Sequence, residues 1–166
     1  MYGVNSTDSV DEESVNQLFL TFNLGDEKYA IDILYIKEIT GMQEITKVPN
    51  MPSFARGVIN LRGLVIPVID MRTRFNMTPK DYDDRTCAIV VDFDESRIGL
   101  IVDAVDEVID IPEENVSLPN AISTSAAGEF VKGLGRTSDT VIIILDVEKL
   151  LGKHEIESLA QVSGTL

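Results

Sequence analysis

One stretch of sequence organises the fold, Gly57-Val58-Ile59-Asn60-Leu61-Arg62-Gly63-Leu64-Val65-Ile66-Pro67-Val68-Ile69-Asp70. Two apolar runs rich in Val and Ile flank a short polar apex from Asn60 to Gly63, and this pattern predicts a hairpin. Gly63 supplies the positive φ that a tight turn requires, which leaves Arg62 exposed beside the tip. Pro67 cannot donate a ladder hydrogen bond, so its strand is expected at an edge or a bulge. The stretch therefore predicts a rigid apolar hairpin with one cation at its tip, an arrangement that suits a docking element.

The overall composition is that of an acidic globular chain with an aliphatic core. The 166 residues suffice for one ordinary domain or for two small ones. Apolar residues make up 44% of the chain and aromatic residues only 6%, which favours strands built from Ile, Val and Leu. The 14 Lys and Arg against 28 Asp and Glu give a net charge of -14, which excludes general binding to nucleic acid or to anionic membranes.

The sequence offers no signal for membrane insertion or secretion. No apolar run approaches the roughly 20 residues of a membrane span, and the N-terminus has no basic segment followed by an apolar one. We therefore expect a cytoplasmic protein without direct membrane insertion.

The chain repeats itself at two offsets. Residues 28–39 align with residues 97–108, an offset of 69, while residues 56–58 and 65–70 align with residues 132–134 and 141–146, an offset of 76. Each half then offers about five short strands followed by a capped helical turn. Small antiparallel sheets of this size close most readily as barrels, which also protects their edges. We predict two small barrels that share an apolar seam; chance similarity between aliphatic strands is the alternative.

Shifts in composition set the expected boundaries. Residues 1–15 are polar and acidic and are interpreted as a disordered leader. Residues 16–152 form the folded part, with a first barrel at about 16–80 and a second at about 85–152. Residues 153–166 form a C-terminal tail with weak helical spacing.

The residues needed for catalysis or metal binding do not form a recognisable pattern. His154 is the only histidine, so a Cys/His zinc site has no ligand set, and Cys87 lies in an apolar strand-like segment where inert packing is expected. The many carboxylates alternate with apolar residues, which favours a solvated acidic face. We expect no catalytic group, metal or cofactor. An acidic metal- or ligand-binding β-barrel enzyme, using Asp103 or Asp106, is the alternative from another functional class.

Binding is the remaining class of function. An exposed Arg beside apolar residues is common at binding hot spots, because a guanidinium stacks and pairs at once. Arg62 fits that description, and its alternative role is a salt bridge to an acid of the same domain. Ile33, Ile36 and Glu38 mix apolar and charged side chains on one segment, which indicates either a binding position or ordinary alternation across a sheet.

Several segments together resemble the CheW family of chemotaxis coupling proteins. They are Phe22–Ile31, Ile45–Pro49, Gly57–Gly63 with Pro67–Arg72, and Gly99–Val108, followed by the terminal Ile144–Asp146. The resemblance covers roughly residues 17–152 and is most specific around Asn60–Gly63. It implies a mainly β fold of two five-stranded SH3-like β-barrels packed through a shared hydrophobic core, and no enzymatic activity.

The resemblance also implies partners and a binding surface. Family members bridge the cytoplasmic tips of methyl-accepting chemoreceptors to the regulatory domain of the histidine kinase CheA, in arrays at the inner face of the membrane. By position, the residues expected on partner-binding surfaces are Arg62 with Asn60, Gly57 and Gly63 of its hairpin, and Ile33, Ile36 and Glu38 of the first barrel. The length leaves no room for the added domains of CheA-type or CheV-type proteins, so a stand-alone adaptor is expected. The same adaptor in a non-chemotactic receptor array is the alternative.

Overall fold

The computed structural model describes residues 18–118 and 127–152, together with the backbone of residues 164–165. The expected leader at 1–15, most of the tail at 153–166 and His154 therefore lie outside the described residues. Within them the strands are β1 (Leu18–Leu24), β2 (Glu27–Asp32), β3 (Ile36–Gly41), β4 (Ala55–Leu61), β5 (Leu64–Asp70), β6 (Cys87–Phe93), β7 (Ser96–Val102), β8 (Ala104–Asp110), β9 (Val116–Ser117), β10 (Val131–Arg136), β11 (Val141–Leu145) and β12 (Gly164–Thr165). The helices are α1 (Met71–Arg74) and α2 (Val147–Leu151), with single 3-10 turns at Ile33–Tyr35, Glu113–Asn115 and Ala127–Phe130.

The strands form two six-stranded mixed sheets. One sheet has the order β8-β1-β2-β11-β10-β9, and the other has the order β12-β5-β7-β6-β3 with β4 paired to β5. The predicted mainly β fold is thus confirmed at the level of two sheets. Outside the paired strands, Thr46 and Val58 exchange two backbone hydrogen bonds of 2.8 Å. This pair joins the segment after β3 to β4.

Sheet membership does not follow the order of the chain. The hairpin β1–β2 pairs with β8 and with β11, whereas the hairpin β6–β7 pairs with β3 and with β5. Each half of the chain therefore contributes its first hairpin to the sheet that contains the last hairpin of the other half, β10–β11 or β4–β5. Both sheets draw strands from both ranges, 16–80 and 85–152. The division into one barrel at about 16–80 and another at about 85–152 stays a prediction.

The sequence repeat has a structural counterpart. The hairpin β4–β5 followed by α1 matches the hairpin β10–β11 followed by α2, and each first strand carries one register shift, at Ala55/Gly57 and at Val131/Gly133. The side chain of Asp70 accepts from the backbone N of Arg72 at 2.9 Å, and that of Asp146 accepts from the backbone N of Lys149 at 3.2 Å. The predicted caps of both short helices are confirmed, and each satisfies donors that a helix start leaves unpaired.

Three apolar clusters fill the part of the molecule that the structure describes. The largest lies between the two sheets and includes Phe22, Ile31, Met71, Leu100 and Leu151, all essentially without exposed surface. A second cluster lies within the sheet that contains β3 and β7, called the β3–β7 sheet below, around Ile66 and Val90. A third lies within the other sheet, around Ile111 and Ile142. Burial of aliphatic side chains at roughly 25 cal/mol per Å² therefore stabilises each sheet internally and also the seam between them.

The seam is fastened by Arg74 of α1. Its guanidinium carbon lies 4.5 Å from the ring centre of Phe54 and 4.6 Å from that of Phe130. Its Nε and Nη2 atoms donate to the carbonyl oxygen of Leu150 at 3.1 and 2.8 Å, at the end of α2. One side chain thus links the two equivalent helices and stacks between two equivalent rings.

Candidate docking site at the β4–β5 hairpin

The tip of the predicted hairpin is a two-residue turn. Leu61 pairs with Leu64, so Arg62 and Gly63 form the turn, with φ of 55° and 88°. Positive φ at both positions is typical of the type I′ turn, whose twist matches that of the flanking strands. The side chain of Asn60 accepts a hydrogen bond of 2.7 Å from the backbone N of Gly63, which fixes the tip locally. The predicted positive φ of Gly63 is confirmed and Asn60 supports the turn, while the role of both residues in partner binding stays a prediction.

Arg62 forms an ion pair with Glu38 of β3. The guanidinium donates to the Glu38 carboxylate, and the two side chains keep 70% and 28% of their surface exposed. This hydrogen bond lowers the pKa of Glu38 and raises the pKa of Arg62. The salt bridge weighed as an alternative for Arg62 is present, yet most of the surface of the Arg62 side chain remains exposed. Two of the predicted site residues, 24 positions apart in sequence, thus meet at one point on the surface.

The apolar residues of the same segment divide between the core and the surface, and the role of Ile33, Ile36 and Glu38 in partner binding stays a prediction. Ile33 and Ile36 are half-buried and pack against the cluster between the sheets. The exposed apolar side chains are Leu34, with 68% of its surface accessible, and Ile39, with 43%. Leu34 and Ile39 were not singled out from the sequence. Leu34 lies in the 3-10 turn before β3, and the face that Ile39 occupies depends on the register of β3, which shifts between Ile36 and Glu38.

Gly57 lies on the strand and away from the turn. It is buried, has φ of 143°, and a Cβ there would be 2.2 Å from the carbonyl oxygen of Thr46 and 2.9 Å from Cγ2 of Ile45. The absence of a side chain lets the 45–46 segment approach β4 closely enough for the Thr46–Val58 pair. The observed role of Gly57 is thus to hold the base of the hairpin in place, and its predicted role in partner binding stays a prediction.

The carboxylates considered for a metal site are engaged by cations. Asp103 accepts from Nε and Nη2 of Arg72 at 2.8 and 2.6 Å, and Asp106 accepts from Nζ of Lys28 at 2.6 Å. Burial by itself would raise the pKa of Asp103, but the hydrogen bonds from Arg72 and from the backbone N of Gly25 lower it overall. Over the part of the chain that the structure describes, no group of three or more His, Cys, Asp or Glu side chains is placed to hold a metal ion.

A membrane-spanning helix is likewise missing from residues 18–118 and 127–152. The helices of these ranges are too short and not apolar enough to cross a bilayer.

Comparison with known proteins gives consistent matches over almost the whole described chain. A family model described as CheW-like domain matches residues 18–155. Chemotaxis protein CheW of Klebsiella aerogenes is 36% identical over 163 residues, which is 98% of this chain and 98% of the relative. Chemotaxis protein CheW of Treponema pallidum is 33% identical over 147 residues, 86% of each chain. Among solved structures, the scaffolding protein TtCheW from Thermoanaerobacter tengcongensis matches with a TM-score of 0.76 and 36% identity, covering 84% of this chain and 95% of that one.

Proposed function

The chain belongs to the CheW family of chemotaxis proteins, and from that premise we propose that it couples chemoreceptors to a CheA-type histidine kinase. The family consists of scaffolding and coupling proteins, so the chain is a chemotaxis scaffold and not an enzyme. In the proposal it acts in the cytoplasm, at receptor arrays on the inner face of the membrane. It bridges the cytoplasmic tip of a methyl-accepting chemoreceptor to the regulatory domain of the kinase, so that the state of the receptor controls phosphorylation.

The observation that carries the proposal is the exposed ion pair at the tip of the β4–β5 hairpin. Arg62 is held by a two-residue turn, so little conformational entropy is lost when a partner binds it. Glu38 orients the guanidinium without covering it, since 70% of the Arg62 side chain remains accessible. Leu34 and Ile39 add exposed apolar surface on the segment that carries Glu38. A guanidinium combined with exposed apolar side chains on the segment of its ion-pair partner has the composition of a protein-binding hot spot.

We extend the proposal to the closure of both sheets as SH3-like barrels. The Thr46–Val58 pair supports closure of the β3–β7 sheet, because it joins the chain beyond β3 to β4 at the opposite end of the strand order. The short strand β9, paired with β10, occupies the corresponding place in the other sheet. Separate apolar clusters within each sheet, around Ile66 and around Ile142, also support two closed interiors. Closed barrels present rigid surfaces, which an adaptor needs in order to hold two partners at a fixed geometry.

Reconstitution tests the coupling role. Kinase autophosphorylation is measured with a receptor fragment, a CheA-type kinase and either this protein, no adaptor or an adaptor variant. We expect receptor control of the kinase only when the adaptor is present. Equal control with and without the adaptor would contradict the proposal, and a pull-down that recovers a kinase from a non-chemotactic array would favour the alternative setting.

Two variants localise the docking surface. Arg62→Glu reverses the charge at the first hairpin, and Arg136→Glu makes the same change near the tip of the equivalent hairpin β10–β11. We expect Arg62→Glu to weaken partner binding at least tenfold with little change in melting temperature, because an exposed ion pair contributes little to stability. Arg136→Glu should bind normally. A large loss of stability in Arg62→Glu, or equal losses of binding in both variants, would assign Arg62 to structure instead.

A further inference from the structure

Two of the passages of the chain between the two sheets occupy equivalent places in the repeat. The 3-10 turn Ile33–Tyr35 leads from β2 in one sheet to β3 in the other, and Asp103 alone separates β7 from β8 in the reverse direction. The offset of 69 residues aligns Asp103 with Leu34, within that turn. These crossovers determine where β3 and β8, the end strands of the two sheet orders, are placed relative to the seam.

Each crossover is tied to one of the short helices. Asp103 contacts Arg72, the second residue of α1, and the hydroxyl of Tyr35 donates to the carboxylate of Glu148, the second residue of α2, at 3.0 Å. Arg72 and Glu148 are related by the offset of 76 residues, so the two ties occupy equivalent places in the repeat. They differ completely in their chemistry.

The two ties also differ in strength. Asp103 receives two charge-assisted hydrogen bonds from Arg72 with both side chains about 15% exposed, and it also accepts from the backbone N of Gly25. Tyr35 makes one hydrogen bond to Glu148, which is exposed to solvent. Burial, the bond to Glu148 and nearby carboxylates raise the pKa of Tyr35 to about 12, so its hydroxyl remains a donor at neutral pH. The crossover at Tyr35 is thus held by the weaker of the two ties.

This weaker tie lies next to the strand that carries Glu38, the ion-pair partner of Arg62. Tyr35 immediately precedes β3, which stands at one end of its sheet and carries Glu38 and Ile39. The Tyr35 ring also contacts Phe93 at the end of β6, with 6.5 Å between ring centres, so the ring is anchored independently of the hydroxyl.

We propose that Tyr35 is a positioning residue for β3. Its hydroxyl holds the Ile33–Tyr35 crossover against α2 and thereby sets the position from which Glu38 orients Arg62. The inference that this position matters for partner binding rests on the proposed coupling function; the effect on β3 itself does not.

The test compares two tyrosine hydroxyls that each donate to a carboxylate. Tyr35→Phe removes only the bond to Glu148 and keeps the ring contact with Phe93. Tyr82→Phe is the matched control, because Tyr82 donates to Asp70 at 2.8 Å at a different place in the fold. Amide hydrogen exchange is measured by mass spectrometry on all variants, and affinity for the full-length kinase is measured in parallel.

We expect a local response in Tyr35→Phe. Exchange across Ile36–Gly41 should become roughly three- to tenfold faster, with no change across β4, and kinase affinity should fall by a similar factor, because one hydrogen bond is lost. Tyr82→Phe should accelerate exchange around residues 81–86 and leave β3 and the affinity unchanged. Glu148→Gln retains an acceptor and should preserve the protection of β3. Glu148→Ala should reproduce the effect of Tyr35→Phe, and combining these two changes in one variant should add no further effect.

Two results would overturn the inference. One is an unchanged exchange rate across Ile36–Gly41 in Tyr35→Phe. The other is a uniform increase over all strands, which would mean that the hydroxyl contributes only to global stability. If the wild-type protein failed to bind the kinase, the proposed function would be wrong, while the exchange data would still decide the role of Tyr35.

Discussion

Replacing Gly57 by alanine tests whether the base of the β4–β5 hairpin depends on close backbone contact. A Cβ at residue 57 would stand 2.2 Å from the carbonyl oxygen of Thr46, which is backbone and cannot rotate away. The strand must then separate from the 45–46 segment, and the two hydrogen bonds between Thr46 and Val58 are lost, at about 0.5–1.5 kcal/mol each. The φ of 143° adds about 1–3 kcal/mol of backbone strain for any residue with a side chain. We expect Gly57→Ala to lower the free energy of unfolding by roughly 2–6 kcal/mol.

The matched control lies in the same hairpin. Gly63 also has a positive φ, 88°, but a Cβ there would meet nothing within 4 Å. Gly63→Ala should therefore cost only backbone strain, about 1–2 kcal/mol. Urea denaturation followed by circular dichroism measures both variants, with the m-value as a check on two-state unfolding. If Gly57→Ala is no less stable than Gly63→Ala, the contact with Thr46 does not hold the hairpin, and our account of Gly57 is refuted.

Four further substitutions probe the seam, the pair of Asp103 with Arg72, and the exposed apolar side chains Leu34 and Ile39. Arg74→Met keeps an apolar stem between the rings but loses the bonds to the α2 carbonyl; urea denaturation should give a loss of about 1–3 kcal/mol, and a neutral result would refute the fastening role. The folded state lowers the pKa of Asp103, so the stability from its pair with Arg72 is present above the unfolded pKa, near 4, and is lost as pH falls through the folded value. Asp103→Asn should flatten the decline of stability that denaturation measures as the pH falls below about 4, and an unchanged slope would exclude Asp103 as its source. Leu34→Ser and Ile39→Ser should each reduce kinase affinity several-fold in a titration while the melting temperature stays within about 2 °C, since both side chains are exposed; normal affinity would remove them from the docking surface.

Features set by neighbouring residues were predictable from the sequence. The turn at Arg62–Gly63 follows from a glycine between two β-branched runs, and the caps at Asp70 and Asp146 follow from a carboxylate placed just before a helical turn. The two offsets of the repeat, which rest on the same local patterns, indicated two similar halves. The family could be identified because several segments resemble CheW proteins, most specifically the Asn60–Gly63 apex.

Features set by distant residues were not predictable in the same way. Aliphatic periodicity predicts that a segment is a strand but does not determine which strand pairs with it, so the exchange of hairpins between the sheets was not foreseen. The partner of Arg62 was unknown because an ion pair between residues 24 apart depends on the final packing. The register shift at Ile36/Glu38 places Ile36 and Ile39 opposite Val91 and Ile89, on one face of the sheet. Simple alternation would instead have grouped Ile36 with Glu38, because a single bulge reverses the faces of every residue that follows.

The exchange of hairpins makes the two halves of the chain inseparable. A cut in the loop between α1 and β6 would leave each fragment with strands from both sheets and with neither sheet complete. Neither fragment could bury its share of the seam alone, so we expect both to be unfolded in isolation and to regain structure only when mixed. The uncut chain should accordingly unfold in one cooperative step, and the joining of strands so far apart in sequence should make its folding slow for its size. Over the described residues, no hinge therefore separates two independently folded units.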